Sequence, residues 1–354
     1  MLEKKLILVI GATGLQGMPV VNALLASRDG KPSPYSVRAL TRDPTSEKAQ
    51  ALASMGVEII KGHLLFSFWF LSSDYLPRLW CSGHFEDLAT VAVALEGCYG
   101  VFVNTDTNTV GAKDEIYSVI KMFEQAHRVP QLRHFVWSGL DYSSKLGNYD
   151  PKYQSINLDS KGIVSDFIRG QPSSPGGTSF TWTILITGVY FENISGAMMG
   201  PLPERDENGA LVFALPIEDG HMPVISVKDI GWWARYIFDH RSETSGQEVK
   251  IADKMVTVDD LVDIVSRTTG IPTVRKRIPV EEYLDHHPRL NEVNRAKLSG
   301  MFWTWRDDLM TRDIEWLKSV HPDSETLEEW IKATGYDGTL SSATDMKRYL
   351  LSPK

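Results

Sequence analysis

The chain has 354 residues, 42% of them hydrophobic and 23% charged, and a formal net charge of −8. That length suits one large α/β domain or a main domain with a smaller lobe, and the acidic balance argues against electrostatic nucleic-acid binding as the main function. Two cysteines, Cys81 and Cys98, make no disulfide framework and fit a reducing compartment. No apolar run is long enough to cross a bilayer as a helix, and no signal or transit segment is expected ahead of the first strand. A cytoplasmic location is therefore expected.

Leu6, Ile7, Leu8, Val9 and Ile10 form an unbroken apolar run, followed at once by Gly11-Ala12-Thr13-Gly14-Leu15-Gln16-Gly17. Such a run bounded by glycine reads as a buried strand of a parallel sheet. Gly11 suits a tight turn, Gly14 leaves room for a phosphate against the backbone, and Gly17 lets the next helix pack close to the sheet. That helix is expected to start near Leu15, so its free N–H groups and positive dipole end point at the space over the turn. The spacing predicts a dinucleotide pyrophosphate site.

Val20, Val21, Leu24 and Leu25 give the following helix its apolar face. Residues 37–41 read as a second strand, with Arg42-Asp43-Pro44 at its end. An acidic residue there would bind a ribose 2′-hydroxyl, whereas a basic one accommodates a 2′-phosphate. Arg42 holds that place, which favours NADP(H) over NAD(H), although Asp43 beside it pulls the other way. A helix over 48–55 and a strand over 57–61 follow. The pattern then breaks at Leu64-Leu65-Phe66-Ser67-Phe68-Trp69-Phe70-Leu71. Without residues 64–83 the strand–loop–helix rhythm is seamless, so the segment reads as an insertion: a hydrophobic flap, a surface for a partner or membrane, or translated non-coding sequence.

Further strands are expected at 100–103, ending at Asn104-Thr105-Asp106, at 134–137, ending at Ser138-Gly139-Leu140, and at 181–186. Helices are expected at 86–95, 114–128 and 159–169. Strands alternating with helices imply a doubly wound parallel sheet of Rossmann type. Beyond Thr187 the rhythm changes. A hairpin is expected around Asp206-Glu207-Asn208-Gly209, with its strand over 211–215. A helix covers 228–240, and Thr257 caps another with Asp260 in its first turn. A mostly helical, aromatic tail begins at Val280. Arg275-Lys276-Arg277 reads as a solvated strand or loop rather than a phosphate-binding tract. These features divide the chain into a Rossmann domain over 1–187 and a smaller mixed α/β lobe over 188–354, interleaved with it. No metal site is expected.

Together with Thr41-Arg42-Asp43-Pro44, Phe135-Val136-Trp137-Ser138-Gly139-Leu140, Asp159-Ser160-Lys161-Gly162, Tyr190-Phe191-Glu192-Asn193 and Val224-Ile225-Ser226-Val227-Lys228-Asp229-Ile230-Gly231, the glycine turn resembles the NmrA-like branch of the atypical short-chain dehydrogenases. The resemblance runs in family order over about residues 5–335 apart from the insertion. It implies a Rossmann domain that binds NADP(H) and a C-terminal lobe closing over the nicotinamide. It also implies that Arg42 meets the 2′-phosphate, Lys161 the nicotinamide ribose, and Tyr190, Phe191, Glu192 and Asn193 the nicotinamide end. Asn104, Thr105 and Ser138, at strand ends, join the same site. The family usually has Gly-Asp after the third strand, with the Asp near the adenine; here Gly62-His63 stands in that place.

Short-chain dehydrogenases commonly use a Tyr four residues before the Lys, which lowers the phenol pKa for proton transfer. Here that position is Asn157, which cannot act as the acid, and Tyr153 lies one further turn back only if the helix extends that far. Ser138 occupies the usual Ser place. Carbonyl reduction through a Tyr–Lys pair is therefore not expected, and Lys161 is the one candidate catalytic group. Two functions stay open. One is an NADPH-dependent reductase of a small hydrophobic metabolite, as in the isoflavone-reductase-like branch. The other is a non-enzymatic NADP(H)-sensing regulator with a protein partner.

Overall fold

In the computed structural model the described residues are 3–41, 43–61, 88–174, 176–196, 199–286 and 291–339. Arg42, His63, Cys81 and the segment 64–83 lie outside them.

In chain order the elements are β1 (Lys5–Ile10), α1 (Gly17–Leu25), β2 (Tyr35–Thr41), α2 (Glu47–Ser54), β3 (Glu58–Lys61), α3 (Leu88–Leu95), β4 (Gly100–Val103), α4 (Thr107–Val110), α5 (Ala112–Arg128), β5 (His134–Gly139), α6 (Ser143–Leu146), α7 (Ile156–Arg169) and β6 (Thr181–Ile186). They continue with β7 (Val189–Tyr190), β8 (Leu211–Phe213), β9 (Met222–Ile225), α8 (Val227–Asp239), α9 (Arg241–Thr244), β10 (Glu248–Lys250), β11 (Lys254–Val256), α10 (Val258–Thr269) and β12 (Thr273–Arg275). The helices α11 (Val280–Asp285), α12 (Glu292–Arg306), α13 (Ile314–Val320) and α14 (Leu327–Thr334) complete the series. Two short 3-10 turns, Pro151–Tyr153 and Phe191–Ser195, precede α7 and β8.

The central sheet has the strand order β10-β6-β5-β4-β1-β2-β3. Its β5-β4-β1-β2-β3 pairs are parallel, with Ile7 opposite Val37 on one side and Gly100 on the other. Leaving β1, the chain goes to β2 and β3 on one side and returns through β4 to the other. That reversal at β1 is the switch point at which doubly wound sheets bind ligands. The apolar continuity of β1 and β5 follows from burial on both faces of the sheet.

The chain forms two compact units. The first comprises Met1–Ser138, Phe167–Ile184 and Ala234–Gln247. Its core holds Ile7, Leu8, Val9, Val21, Leu24, Phe102, Phe135 and Val136, all fully buried. The second comprises Gly139–Asp166, Leu185–Trp233 and Glu248–Lys354. Phe191, Phe213, Tyr283, Phe302, Trp305 and Trp330 are buried in its core. Most of the aromatic tail is therefore packing material, while Trp316 remains 41% exposed.

The turn at Asp206–Gly209 closes as expected, with the Gly209 amide donating to Asp206 O at 3.0 Å. Across it the Asp206 amide donates to Ala210 O at 3.1 Å and the Leu202 amide to Val212 O at 2.8 Å, and of the two arms only Leu211–Phe213 is a strand. β8 ends at Phe213 and pairs parallel with β12, Leu211 opposite Thr273. Thr257 and Asp260 form a complete capping box at the start of α10. The basic cluster is neutralised: Arg275 lies 2.6 Å from Asp259 and 3.1 Å from Asp219, and Arg277 lies 2.6 Å from Asp219 and 2.9 Å from Glu218. No described helix is long and apolar enough to cross a membrane.

Candidate functional site

The glycine turn lies at the carboxyl end of β1, in the first unit. Gly11 has φ +80°, in the left-handed region, and an added Cβ would lie 2.6 Å from the Asn104 carbonyl oxygen. Glycine is thus required there both by conformation and by the close approach of the β4 end. The Gly14 amide donates to Gly11 O at 2.9 Å and closes the turn. At Gly17 an added Cβ would meet Gly11 O at 2.1 Å, Gly11 C at 2.6 Å and Ala12 Cα at 2.7 Å, so this glycine sets the contact between helix and turn. At Gly14 the same test finds only Gly11 O, at 3.1 Å. The three glycines therefore divide the work: two build the turn and the third leaves its outer side open. The helix begins at Gly17 rather than near Leu15, with Gln16 as its N-cap.

The Gln16 side chain does not cap the helix. It is 2% exposed and accepts a hydrogen bond from the Ser138 hydroxyl at 2.8 Å. Ser138, at the end of β5, is thereby tied to the N-cap of α1. Asn104 and Thr105 follow β4, and the Asn104 amide donates to Ile10 O at 3.3 Å. Thr105 and Thr107 each donate at 2.6 Å to Glu115, one to each carboxylate oxygen. Glu115 is fully buried on α5 and fixes the loop that walls the turn. Sequence reasoning missed it, because two threonines eight and ten residues before a Glu carry no local signature. The first unit thus brings together Gly11, Ala12, Thr13, Gly14, Leu15, Gln16, Gly17, Asn104, Thr105 and Ser138.

Lys161 and residues 190–193 belong to the second unit. Helix α7 starts at Ile156, and Gln154 before it is extended, with φ −65° and ψ 118°. Tyr153 therefore sits in the preceding 3-10 turn, not one turn back on the same helix. Its phenol donates to Asp307 at 2.6 Å, and burial with that bond raises its pKa. It is committed to a structural contact. Lys161 is buried, 8% exposed. An added Cβ on Gly162 would fall 2.4 Å from Tyr142 Cβ, so the glycine after the lysine admits the loop that follows β5. Asp159 holds the same loop, accepting from the Ser144 amide at 2.9 Å and its hydroxyl at 2.7 Å. Asp141 in that loop pairs with Arg312 at 2.7 Å. The Arg312 guanidinium also donates to Ile251 O at 3.1 Å and Thr187 O at 3.0 Å.

Tyr190 is half-buried, Phe191 and Glu192 are buried, and Asn193 is exposed. Burial pushes the Glu192 carboxyl up to about 8, and nearby Glu325 adds to this; the amides of Glu192 and Val227 and the Trp330 indole pull the other way. The Asp229 carboxylate accepts from the Glu325 amide at 2.8 Å and lies 2.9 Å from His321 Nε2. Trp232 stacks on the same imidazole at 3.9 Å.

Sheet order, switch point and glycine turn define a Rossmann-type nucleotide-binding fold. The NmrA-like family matches residues 3–331, and the chain belongs to that family. An NmrA-like family domain-containing oxidoreductase of Malbranchea aurantiaca is 28% identical over 280 residues, covering 75% of this chain and 74% of that one. The crystal structure of NmrA, a negative transcriptional regulator, in complex with NADP superposes with a TM-score of 0.69 at 17% identity, over 95% of this chain and 99% of that one. The NADPH-dependent quinone oxidoreductase of Escherichia coli superposes with a TM-score of 0.66 at 16% identity, over 93% and 100%.

Proposed function

We propose that this chain binds NADP(H) and reduces a small hydrophobic metabolite (a carbonyl, imine or conjugated alkene). The observation that carries the reading is the turn over 11–17: its backbone is closed by Gly11 and Gly17, while the outer side of Gly14 stays open at a helix N-terminus. A pyrophosphate fits there, with Asn104 and Thr105 as the wall. Arg42 would meet the 2′-phosphate, and Lys161 the nicotinamide ribose. NADPH supplies a hydride when bound.

The chain's own chemistry is sparse. Asn157 stands where a proton-donating Tyr is commonly found, Tyr153 is engaged by Asp307, and Ser138 by Gln16. Lys161, buried on α7, is the group we assign to orient the ribose and assist proton movement. This favours, within that set, acceptors that need little acid help, such as an iminium or a conjugated alkene, over a simple carbonyl. The oxidoreductase of Malbranchea aurantiaca, a relative, supports the enzymatic reading.

The same lack of a Tyr favours a second reading, an NADP(H)-sensing regulator that binds a protein partner. NADPH titration followed by an oxidation assay over carbonyls, imines and enones separates the two. Turnover of any class establishes the reductase; tight binding without oxidation, together with a partner whose capture depends on cofactor, establishes the regulator.

A further inference from the structure

Asp43 is an acidic residue in the place where acidity argues against a 2′-phosphate. β2 pairs with β1 so that Leu40 stands opposite Ile10. Residues 41–46, which follow, therefore run beside the glycine turn, within the first unit. In dinucleotide-binding folds a carboxylate at this strand end accepts from the ribose 2′-hydroxyl, and the same carboxylate would repel a 2′-phosphate. Here Asp43 Oδ1 is taken twice from within its own turn: the Thr45 hydroxyl donates to it at 2.6 Å and the Thr45 amide at 2.8 Å. The Thr45 hydroxyl, then its amide, hold the carboxyl below the usual carboxylate range. The backbone of the turn is fastened as well. The Ser46 hydroxyl donates to Asp43 O at 2.8 Å, Gln50 Nε2 to Pro44 O at 2.7 Å, and the Asp43 amide to Thr41 Oγ1 at 3.3 Å. Ser46 then caps α2. Asp43 and Thr45 are exposed, and exposed loops are ordinarily loose. This one is bound at every residue from 43 to 46, and its acidic side chain is committed to it.

We propose that Thr45 is a specificity-determining residue: by holding the Asp43 carboxylate within the 41–46 turn, it keeps an acidic acceptor away from the adenosine ribose and leaves that place to a 2′-phosphate. The proposal rests on the NADP(H) reading above. Asp43 is then a brace of the turn rather than a ribose ligand. Its charge remains, but an exposed carboxylate held by two donors inside its own turn acts on a phosphate only through solvent and salt. Without the Thr45 hydroxyl only the amide bond to Oδ1 is left of that pair, and the side chain gains rotamers that leave the turn. In those rotamers it accepts from a 2′-hydroxyl and repels a 2′-phosphate. Selectivity therefore falls by weakening NADPH and not NADH, and the loss of one hydrogen bond sets the size of the effect at about fivefold. The effect requires the negative charge: an amide at position 43 keeps an acceptor for Thr45 and repels nothing.

The test is calorimetric titration of the full chain with NADPH and with NADH at pH 7, read as the ratio of the NADH Kd to the NADPH Kd. The proteins are the native chain, Thr45→Val, Thr45→Ser, Asp43→Asn and the double variant Thr45→Val/Asp43→Asn. The native ratio should be at least about tenfold. Thr45→Val should lower it about fivefold, with the loss on the NADPH side, and Thr45→Ser, which restores the hydroxyl, should keep it within about twofold of native. Asp43→Asn should raise it less than about fivefold, because a screened charge is all that is lost. The double variant should match Asp43→Asn, since an uncharged side chain released from the turn discriminates against nothing. A turn that mattered only for folding would weaken both nucleotides alike and in either background. A Thr45→Val ratio within about twofold of native, or an equal fall in the double variant, overturns the proposal. So does a rise of about fivefold or more in Asp43→Asn, which would set the native carboxylate at the ribose. A native protein that binds both nucleotides with the same affinity overturns it too. Failure of the native protein to bind either nucleotide overturns the cofactor reading instead.

Discussion

Replacing Gly14 and Gly17 by alanine, one at a time, separates the construction of the turn from its use. At Gly17 the new methyl would lie 2.1 Å from Gly11 O and 2.6–2.7 Å from two further backbone atoms. None of these is a flexible side-chain end, so the helix must shift away from the turn. Alanine at this first position of α1 recovers at most about 1 kcal/mol of helix propensity. Forced overpacking costs about 1–3 kcal/mol, and more where backbone must move, so a net loss of about 2 kcal/mol is expected. At Gly14 the methyl meets a single oxygen at 3.1 Å, and stability should change by less than about 1 kcal/mol. That methyl, however, enters the open side of the turn and holds a phosphate off the backbone amides, so NADPH affinity should fall at least tenfold, about 1.4 kcal/mol. Urea unfolding reads the first effect and calorimetric titration with NADPH the second. If Gly17→Ala unfolds like the native protein, or Gly14→Ala binds NADPH with unchanged affinity, the assignment of roles within the turn is wrong.

Lys161→Ala should abolish turnover, whereas Tyr153→Phe, which removes only the bond to Asp307, should keep kcat within about twofold and cost about 1 kcal/mol in urea unfolding; loss of turnover in Tyr153→Phe would make it the missing acid. Arg312→Met removes the buried donor of Asp141 and of the Thr187 and Ile251 carbonyls but leaves Lys250 3.5 Å from Asp141, and thermal or urea unfolding should show a loss of about 2–3 kcal/mol. Stability should fall on both sides of a middle pH range. Native Glu192 keeps, up to about pH 8, a proton that the unfolded chain releases near pH 4.5, so its contribution declines by up to about 1.4 kcal/mol per pH unit across that window, and Glu192→Gln removes the decline. His134 has the opposite sign: burial beside Arg241 lowers it to about 3, so the unfolded chain alone takes up a proton below pH 6.5 and stability falls as pH drops from 6.5 to 3. Urea midpoints from pH 3 to 9 for both proteins read these slopes.

The parts of the fold that were legible in the sequence are those governed by local rules. β1 and its glycines announce themselves because burial on both faces demands an apolar run and a tight turn demands glycine. Thr257 and Asp260 do so because a capping box needs only four residues. What escaped depends on partners far along the chain. Ser138 reads as a strand end or an active-site serine until Gln16, 122 residues away, takes its hydroxyl. Nothing near Leu211 signals that β12 will pair with it. Tyr153 misleads because helical spacing counts turns only within one helix, and the extended Gln154 breaks the count. Glu192 was legible as part of a family motif, but its burial and the nearby Glu325 come from packing.

The central claim is that the turn over 11–17 holds the pyrophosphate of an NADP-type cofactor. Titration of the full chain at pH 7 with NADPH and with NADH tests it most directly. Saturable binding at one site per chain, at least tenfold tighter for NADPH and weakened in Gly14→Ala, is the predicted result. No binding of either nucleotide, or binding that Gly14→Ala leaves untouched, would contradict it.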